Sequence, residues 1–107
     1  MKFTAIILAV AFSAPFASFA QDDRETEGCE VFANLASSVM RARQAGVTLS
    51  DALAVSRKTD NVTVAELNTK LVLMAYDRPR YSTEGFKQRE VDDFRNEVHM
   101  ACIRAGN

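Results

Sequence analysis

The stretch CEVFANLASSVMRARQAG, residues 29–46, decides the fold because it has the pattern of one amphipathic helix that opens on a cysteine. Its apolar residues recur at helical spacing along one stripe. The members of this stripe are Phe32, Leu35, Ala36, Val39 and Met40. Gly46 predicts the end of the helix, since glycine accepts the left-handed conformation of a C-terminal cap.

A second stretch, VDDFRNEVHMAC at residues 91–102, carries a matching stripe and ends on the chain's other cysteine. The stripe consists of Val91, Phe94, Val98, Ala101 and Cys102. Two cysteines allow only one intramolecular pairing, with free thiols as the alternative. A disulfide between Cys29 and Cys102 requires the first and last helices to pack antiparallel, and a domain this small often needs such a covalent link.

A short second helix is predicted after Gly46. Thr48 and Asp51 belong to a capping box at its start, and the helix is expected to end within residues 56–58. We expect Leu49, Leu53 and Ala52 to face inward.

The third helix is predicted to start at a second capping box, Thr63 to Glu66, with Val62 packing on Leu67. Its later half, LVLMA at residues 71–75, is apolar nearly all round. This composition is typical of a central helix that its neighbours cover.

Pro79 is expected to close the third helix, because proline disfavours helical geometry in the residue before it and lacks a backbone donor. Ser82 is the predicted N-cap of the fourth helix, and Glu84 in the next turn suits the helix dipole. Phe86 is expected to start the buried face. The sequence therefore predicts an all-α fold, a small four-helix orthogonal or antiparallel bundle stapled by one disulfide.

The N-terminal residues 1–20 have the pattern of a cleaved secretory signal peptide. Lys2 precedes the apolar run TAIILAVAF at residues 4–12, and residues 18–20 (SFA) have the small-x-small pattern of a cleavage site. The run is shorter than the ~20 residues that span a bilayer. We expect a disordered lead-in at residues 21–27, a single helical domain at residues 28–107, and a periplasmic or secreted location. An uncleaved signal that tethers the domain to the inner membrane, as in phage lysis regulators, is the alternative.

The charge pattern indicates neither a nucleic-acid partner nor a membrane patch. The chain has 13 basic and 14 acidic residues, and cleavage would remove only Lys2 from them. Because the two signs are interspersed, no basic surface of the kind that binds phosphates is expected. We predict no nucleic-acid partner and no stable membrane insertion after cleavage.

The sequence contains no catalytic, cofactor or metal motif that we recognise. His99 is the one histidine, and its neighbours at helical spacing are Arg95 and Cys102. A cysteine in a disulfide cannot serve as a thiolate ligand or nucleophile. We therefore predict a surface histidine, a protein that is not an enzyme, and no cofactor; a small hydrolase or metal protein is the least favoured class.

The most distinctive segment is YDRPRYST at residues 76–83, where tyrosines and arginines flank a proline. Tyrosine and arginine are enriched at binding hot spots. The candidate interaction surface for an unknown protein partner is Tyr76, Arg78, Arg80 and Tyr81, with Arg43 in the nearby segment RARQAGV. The structural alternative is that Tyr76 caps the core with its hydroxyl in water, while Arg78 pairs with Asp77 or Glu84.

Three elements, CEVFANLASSVMRARQAGVTLSDAL, LVLMAYDRPRYST and VDDFRNEVHMACI, resemble a recurring type of small exported α-helical protein of proteobacteria and their phages. The resemblance spans nearly the whole mature chain, and AYDRPRYST is its most specific part. It implies export and a helical architecture, and no activity.

The scaffold is also similar to periplasmic acid-stress chaperones and some toxin-immunity proteins, without any motif that matches residue by residue. The function that we predict is a non-enzymatic periplasmic protein-interaction module of the inhibitor, immunity or host-modulating type. A stress chaperone that exposes its core when carboxylates are protonated is the main alternative.

Overall fold

Four α-helices and no strand make up the part of the chain that the structure, a computed structural model, describes: the backbone of residues 16–106 and the side chains of residues 27–106. The helices are α1 (Phe16–Gln44), α2 (Leu49–Ser56), α3 (Val62–Tyr76) and α4 (Glu84–Gly106). The predicted all-α fold is confirmed. The predicted signal peptide lies mostly outside the described residues, so its cleavage stays a prediction.

The first helix is longer than its apolar stripe. The backbone of residues 21–27 belongs to α1, where the sequence predicts a disordered lead-in. The segment QDDRETE has no apolar face to bury, but glutamine, arginine and glutamate have high helix propensity. Such residues can extend a helix that packing stabilises further along the chain.

The predicted antiparallel pairing of α1 and α4 is confirmed. Cys29 and Cys102 form a disulfide that brings their Cα atoms to 5.6 Å. Further along the pair, Arg95 Nη2 donates a hydrogen bond to Asn34 Oδ1 at 3.1 Å. Residue numbers thus rise along α1 as they fall along α4, and this pair forms the main body of the bundle.

The core lies where α1, α3 and α4 meet. Small side chains on α1 and α3, Ala36 and Ala75, are fully buried and let the helices approach closely. The buried cluster comprises Ala36, Met40, Leu71, Ala75, Val91, Phe94 and Val98, with Phe32, Leu35, Val39 and Tyr76 packed around it. Both predicted stripes therefore face the core, except that Ala101 is exposed and Cys102 only half-buried.

Gly46 ends α1 as predicted. Its φ of 89° lies in the left-handed region. The Gly46 N–H donates to the Arg43 carbonyl at 3.1 Å, and the Val47 N–H donates to the Ala42 carbonyl at 3.0 Å. This pair of bonds is a Schellman motif, which satisfies carbonyls at the helix end.

The start of α2 follows the prediction, whereas its buried face does not. The Asp51 N–H donates to Thr48 Oγ1 at 3.1 Å, which confirms Thr48 as the N-cap. Ala52 is buried, but Leu49 is 41% exposed, so the expectation that it faces inward is wrong. The residue that fills the inner side one turn beyond Ala52 is Ser56.

The third helix begins at Val62, and its N-cap lies two residues before the predicted one. The Val64 N–H donates to Asn61 Oδ1 at 3.1 Å, so Asn61 is the N-cap and Thr63 lies inside the helix. Asparagine is at least as good an N-cap as threonine, and its earlier position adds two residues to α3.

The fourth helix begins one residue later than predicted. The Phe86 N–H lies 3.4 Å from Thr83 Oγ1, and the Lys87 N–H donates to the Thr83 carbonyl, so Thr83 has the position predicted for Ser82. Glu84 lies in the first turn, as expected. Phe86 is 50% exposed and contacts the Tyr81 ring instead of starting the buried face.

The prediction that neighbours cover the later half of α3 is confirmed on one side of the helix and wrong on the other. Leu71, Val72 and Ala75 are buried, whereas Leu73 and Met74 are 51% and 46% exposed. The helix packs on α1 along one side and on α2 along another, and α2 has only 8 residues. An all-round apolar helix needs more neighbours than the other three helices of the described residues supply.

We expect reduction of the disulfide to lower the free energy of unfolding by about 4 kcal/mol, because the bond closes a long loop and restricts the unfolded chain. Denaturant titration of the oxidised and reduced protein measures the difference. The double variant Cys29→Ser/Cys102→Ala is the control, since a reductant should not change its midpoint. Equal stabilities of oxidised and reduced wild type would contradict the expectation.

Candidate functional site

The α3–α4 loop (residues 77–83) is fastened to the end of α1 by one buried side chain, that of Gln44. This residue is only 2% exposed. Its Nε2 donates to the Pro79 carbonyl at 2.8 Å, and its Oε1 accepts from the Tyr81 N–H at 2.8 Å. Both partners are main-chain atoms, so Gln44 fixes the path of the loop.

Arg43, on the neighbouring position of α1, contacts the same loop. Its Nε and Nη2 donate to the Arg78 carbonyl at 3.2 and 3.0 Å. Its guanidinium also lies over the ring of Tyr76, 5.2 Å from the centroid, an arrangement that favours a cation. This arginine thus joins α1 to the end of α3.

Tyr76 connects this end of the bundle to the α1–α2 turn. Its hydroxyl donates to the Val47 carbonyl at 2.6 Å. Burial raises the pKa of Tyr76 above its ordinary value, although the positive charge of Arg43 opposes the shift. The hydroxyl therefore stays protonated as a donor at neutral pH.

Arg80 lies against the glycine that ends α1. Its Nε donates to the Gln44 carbonyl at 3.2 Å. A Cβ atom added at Gly46 would lie 2.8 Å from Arg80 Nη2. Glycine is therefore favoured at this position for two reasons, the positive φ and the guanidinium that occupies the adjacent space.

Arg78 forms ion pairs with two glutamates of α4 rather than with Asp77 or Glu84, the partners predicted from the sequence. Its Nε donates to Glu90 Oε1 at 2.6 Å, its Nη2 pairs with the same oxygen, and its Nη1 pairs with Glu97 Oε2. Its guanidinium lies 5.6 Å from the centroid of the Phe94 ring.

Burial alone would lower the pKa of Arg78, but the hydrogen bonds and negative charges of Glu90 and Glu97 raise it above its ordinary value. The guanidinium remains charged at any accessible pH. Glu90 is 6% exposed, so the ion pair between Arg78 and Glu90 links the loop to α4 through a buried carboxylate.

The candidate interaction surface thus comes together at one end of the bundle, and its side chains already contact the protein itself. Arg43, Arg78 and Tyr76 make the bonds described above. Arg80 remains exposed, and the ring of Tyr81 lies 5.8 Å from the Phe86 ring. Tyr76 packs on the core as in the structural alternative, but its hydroxyl bonds the Val47 carbonyl instead of water. A role of the surface in binding stays a prediction.

His99 is half-buried rather than a surface histidine. Its Nε2 is buried and has no hydrogen-bond partner among the described residues. Within residues 27–106, no three histidine, cysteine or carboxylate side chains form a group that could hold a metal ion.

An apolar groove lies between α3 and α4, and the sequence interpretation did not identify it. Its volume is about 570 Å³. Phe32 of α1 forms its floor, Leu67 and Met74 line the α3 side, and Ala101 and Cys102 line the α4 side. The sequence signal for it was the all-round apolar half of α3, combined with an α2 too short to cover it.

None of the helices in the described part of the chain combines the length and apolar character needed to cross a membrane.

In comparisons with known proteins, no family model, no curated protein and no solved structure matches this chain.

We expect Gln44→Ala to lower the free energy of unfolding by about 2 kcal/mol, because it removes the two hydrogen bonds that the buried Gln44 side chain makes to the Pro79 carbonyl and the Tyr81 N–H. Gln88→Ala is the matched control, since Gln88 is exposed and bonds only Asp92, and its effect should stay within about 0.5 kcal/mol. Urea titration of both variants measures the effects. Equal midpoints would show that Gln44 does not hold the loop.

The two glutamates that pair with Arg78 provide a second comparison. The Glu90 side chain is 8% exposed and the Glu97 side chain 60% exposed. Glu90→Ala should cost about 2 kcal/mol, the range of a hydrogen bond to a charged group. Glu97→Ala should cost less than about 1 kcal/mol, as for a surface pair. Thermal unfolding at matched pH and salt measures both losses of stability. A larger loss in Glu97→Ala than in Glu90→Ala would contradict the expectation.

Proposed function

We propose that the protein is a non-enzymatic interaction module that acts outside the cytoplasm and binds another protein through the apolar groove between α3 and α4. The observation that carries the proposal is the uncovered apolar face of α3, where Leu67 and Met74 remain 41% and 46% exposed. Contiguous apolar surface on a small domain is typical of an interaction site. Its burial by a partner contributes about 25 cal/mol per Å² of apolar area.

The disulfide supports both the location and the mode of binding. Disulfides persist in oxidising compartments, which agrees with the predicted signal peptide. Cys102 lines the groove and is bonded to Cys29 of α1. The bond holds one wall of the groove against its floor, so little conformational entropy is lost when a partner binds.

The α3–α4 loop is the rival surface for the same function. Arg80 is exposed there and Tyr81 is half-buried, and both residue types are common at hot spots. Arg80 makes one hydrogen bond to α1, whereas Arg43, Tyr76 and Arg78 make several contacts that hold the loop, so their substitution would change binding through the fold. Arg80→Ala/Tyr81→Ala is therefore the variant that tests this surface with the least damage to the bundle.

We expect Met74→Asp to abolish capture of a periplasmic partner by the tagged protein, because it places a charge in the apolar groove. Val55→Asp is the matched control, since Val55 is 65% exposed on α2 and does not line the groove. Mass spectrometry of the captured proteins, with circular dichroism to confirm folding, measures the result.

The loop variant Arg80→Ala/Tyr81→Ala should retain the partner. Loss of the partner in this variant alone would assign binding to the loop. Identical captured proteins in all variants would refute the groove as the binding site.

A further inference from the structure

We infer that the groove receives an amphipathic helix of the partner that carries an acidic residue opposite Lys70. This inference rests on the proposed function, since it names the chemistry of the partner at the same groove.

The groove lies where one further helix could pack against the bundle. Both α3 and α4 pack on α1, and α2 packs on the other side of α3. Along α3 the groove is lined at successive turns by Leu67, Leu71 and Met74, and along α4 by Val98, Cys102 and Ala105. Two walls with helical spacing accept the ridges of a third helix laid between them.

The exposure of the walls favours a helix over a small molecule. Small-molecule sites enclose most of their ligand, about 70–90% of its surface. Leu67, Met74, Ala101 and Ala105 are instead exposed, so the groove is open along its length. An open apolar groove suits a ligand that supplies its own polar outer face, and an amphipathic helix does so.

Lys70 determines the charge of the partner. It is the one charged residue in the groove lining, and no carboxylate within 4.0 Å pairs with it in residues 27–106. Lys70 is exposed at the edge of the groove. A helix that covers the groove excludes water from its apolar walls, which strengthens an ion pair between Lys70 and an acidic side chain of that helix. Like-charge repulsion disfavours a basic residue at this position of the partner.

The test uses two synthetic 18-residue helical peptides with a leucine stripe at helical spacing. They differ only in whether glutamate or lysine flanks the stripe. We expect the glutamate peptide to bind the oxidised mature protein about tenfold more tightly in fluorescence anisotropy at low salt. Lys70→Glu should reverse this preference, and Met74→Asp should abolish the binding of both peptides.

Several outcomes would overturn the inference. These are equal affinities of the two peptides, no binding of either, or an unchanged preference in Lys70→Glu. Displacement of the glutamate peptide by equimolar dodecanoate would assign the groove to a small amphiphile. Dimerisation of the protein that Met74→Asp prevents, measured by sedimentation, would assign it to a second copy.

Failure of this inference is distinguishable from failure of the proposed function. A partner that is captured through Met74, together with peptides that show no charge preference, leaves the function intact and refutes the acidic helix. Peptides that bind as expected, together with capture that Met74→Asp does not change, refute the function assigned to the groove.

Discussion

The antiparallel contact between α1 and α4 is the constraint on which the other features of this protein depend. A covalent bond between Cys29 and Cys102 holds one end of the pair. At the other end Arg78 joins the loop to Glu90 of α4, and Gln44 of α1 binds the same loop. The two helices are thus joined at both ends. The third helix packs on this pair, and α2 packs on α3. The groove derives its shape from this arrangement.

The stripes of α1 and α4, the pairing of the cysteines and the stop at Gly46 were predictable because each depends on local spacing or on one possible partner. Helix periodicity selects Phe94 and Met40 for the core without any knowledge of the fold. A glycine cap is likewise a local property of the backbone. These features determined the fold class.

The exact helix starts were less predictable, because several residues compete for one capping role. Asn61 and Thr63 are both good N-caps, as are Ser82 and Thr83, and the choice between them depends on how the preceding loop approaches the helix. The burial of α3 was not predictable for a different reason. Periodicity shows which side chains are apolar, but the number of neighbouring helices depends on the tertiary arrangement.

The candidate site shows the same division between local and long-range information. Tyrosines and arginines around Pro79 marked the loop as distinctive, and composition alone could not separate binding from structure. Their partners in α1 and α4 are distant in sequence, at Gln44, Glu90 and Glu97. A glutamine among charged residues at a helix end gave no sign that it would be buried.

The way in which Gln44 holds the loop has a consequence for how this protein can change over time. It binds the carbonyl of Pro79 and the N–H of Tyr81, atoms that are largely independent of which side chain follows them. The residue at position 81 can therefore be exchanged while the loop keeps its course, much as hypervariable segments diversify on an antibody framework. A fixed backbone with replaceable side chains allows new recognition properties to arise at this end of the bundle without a new fold.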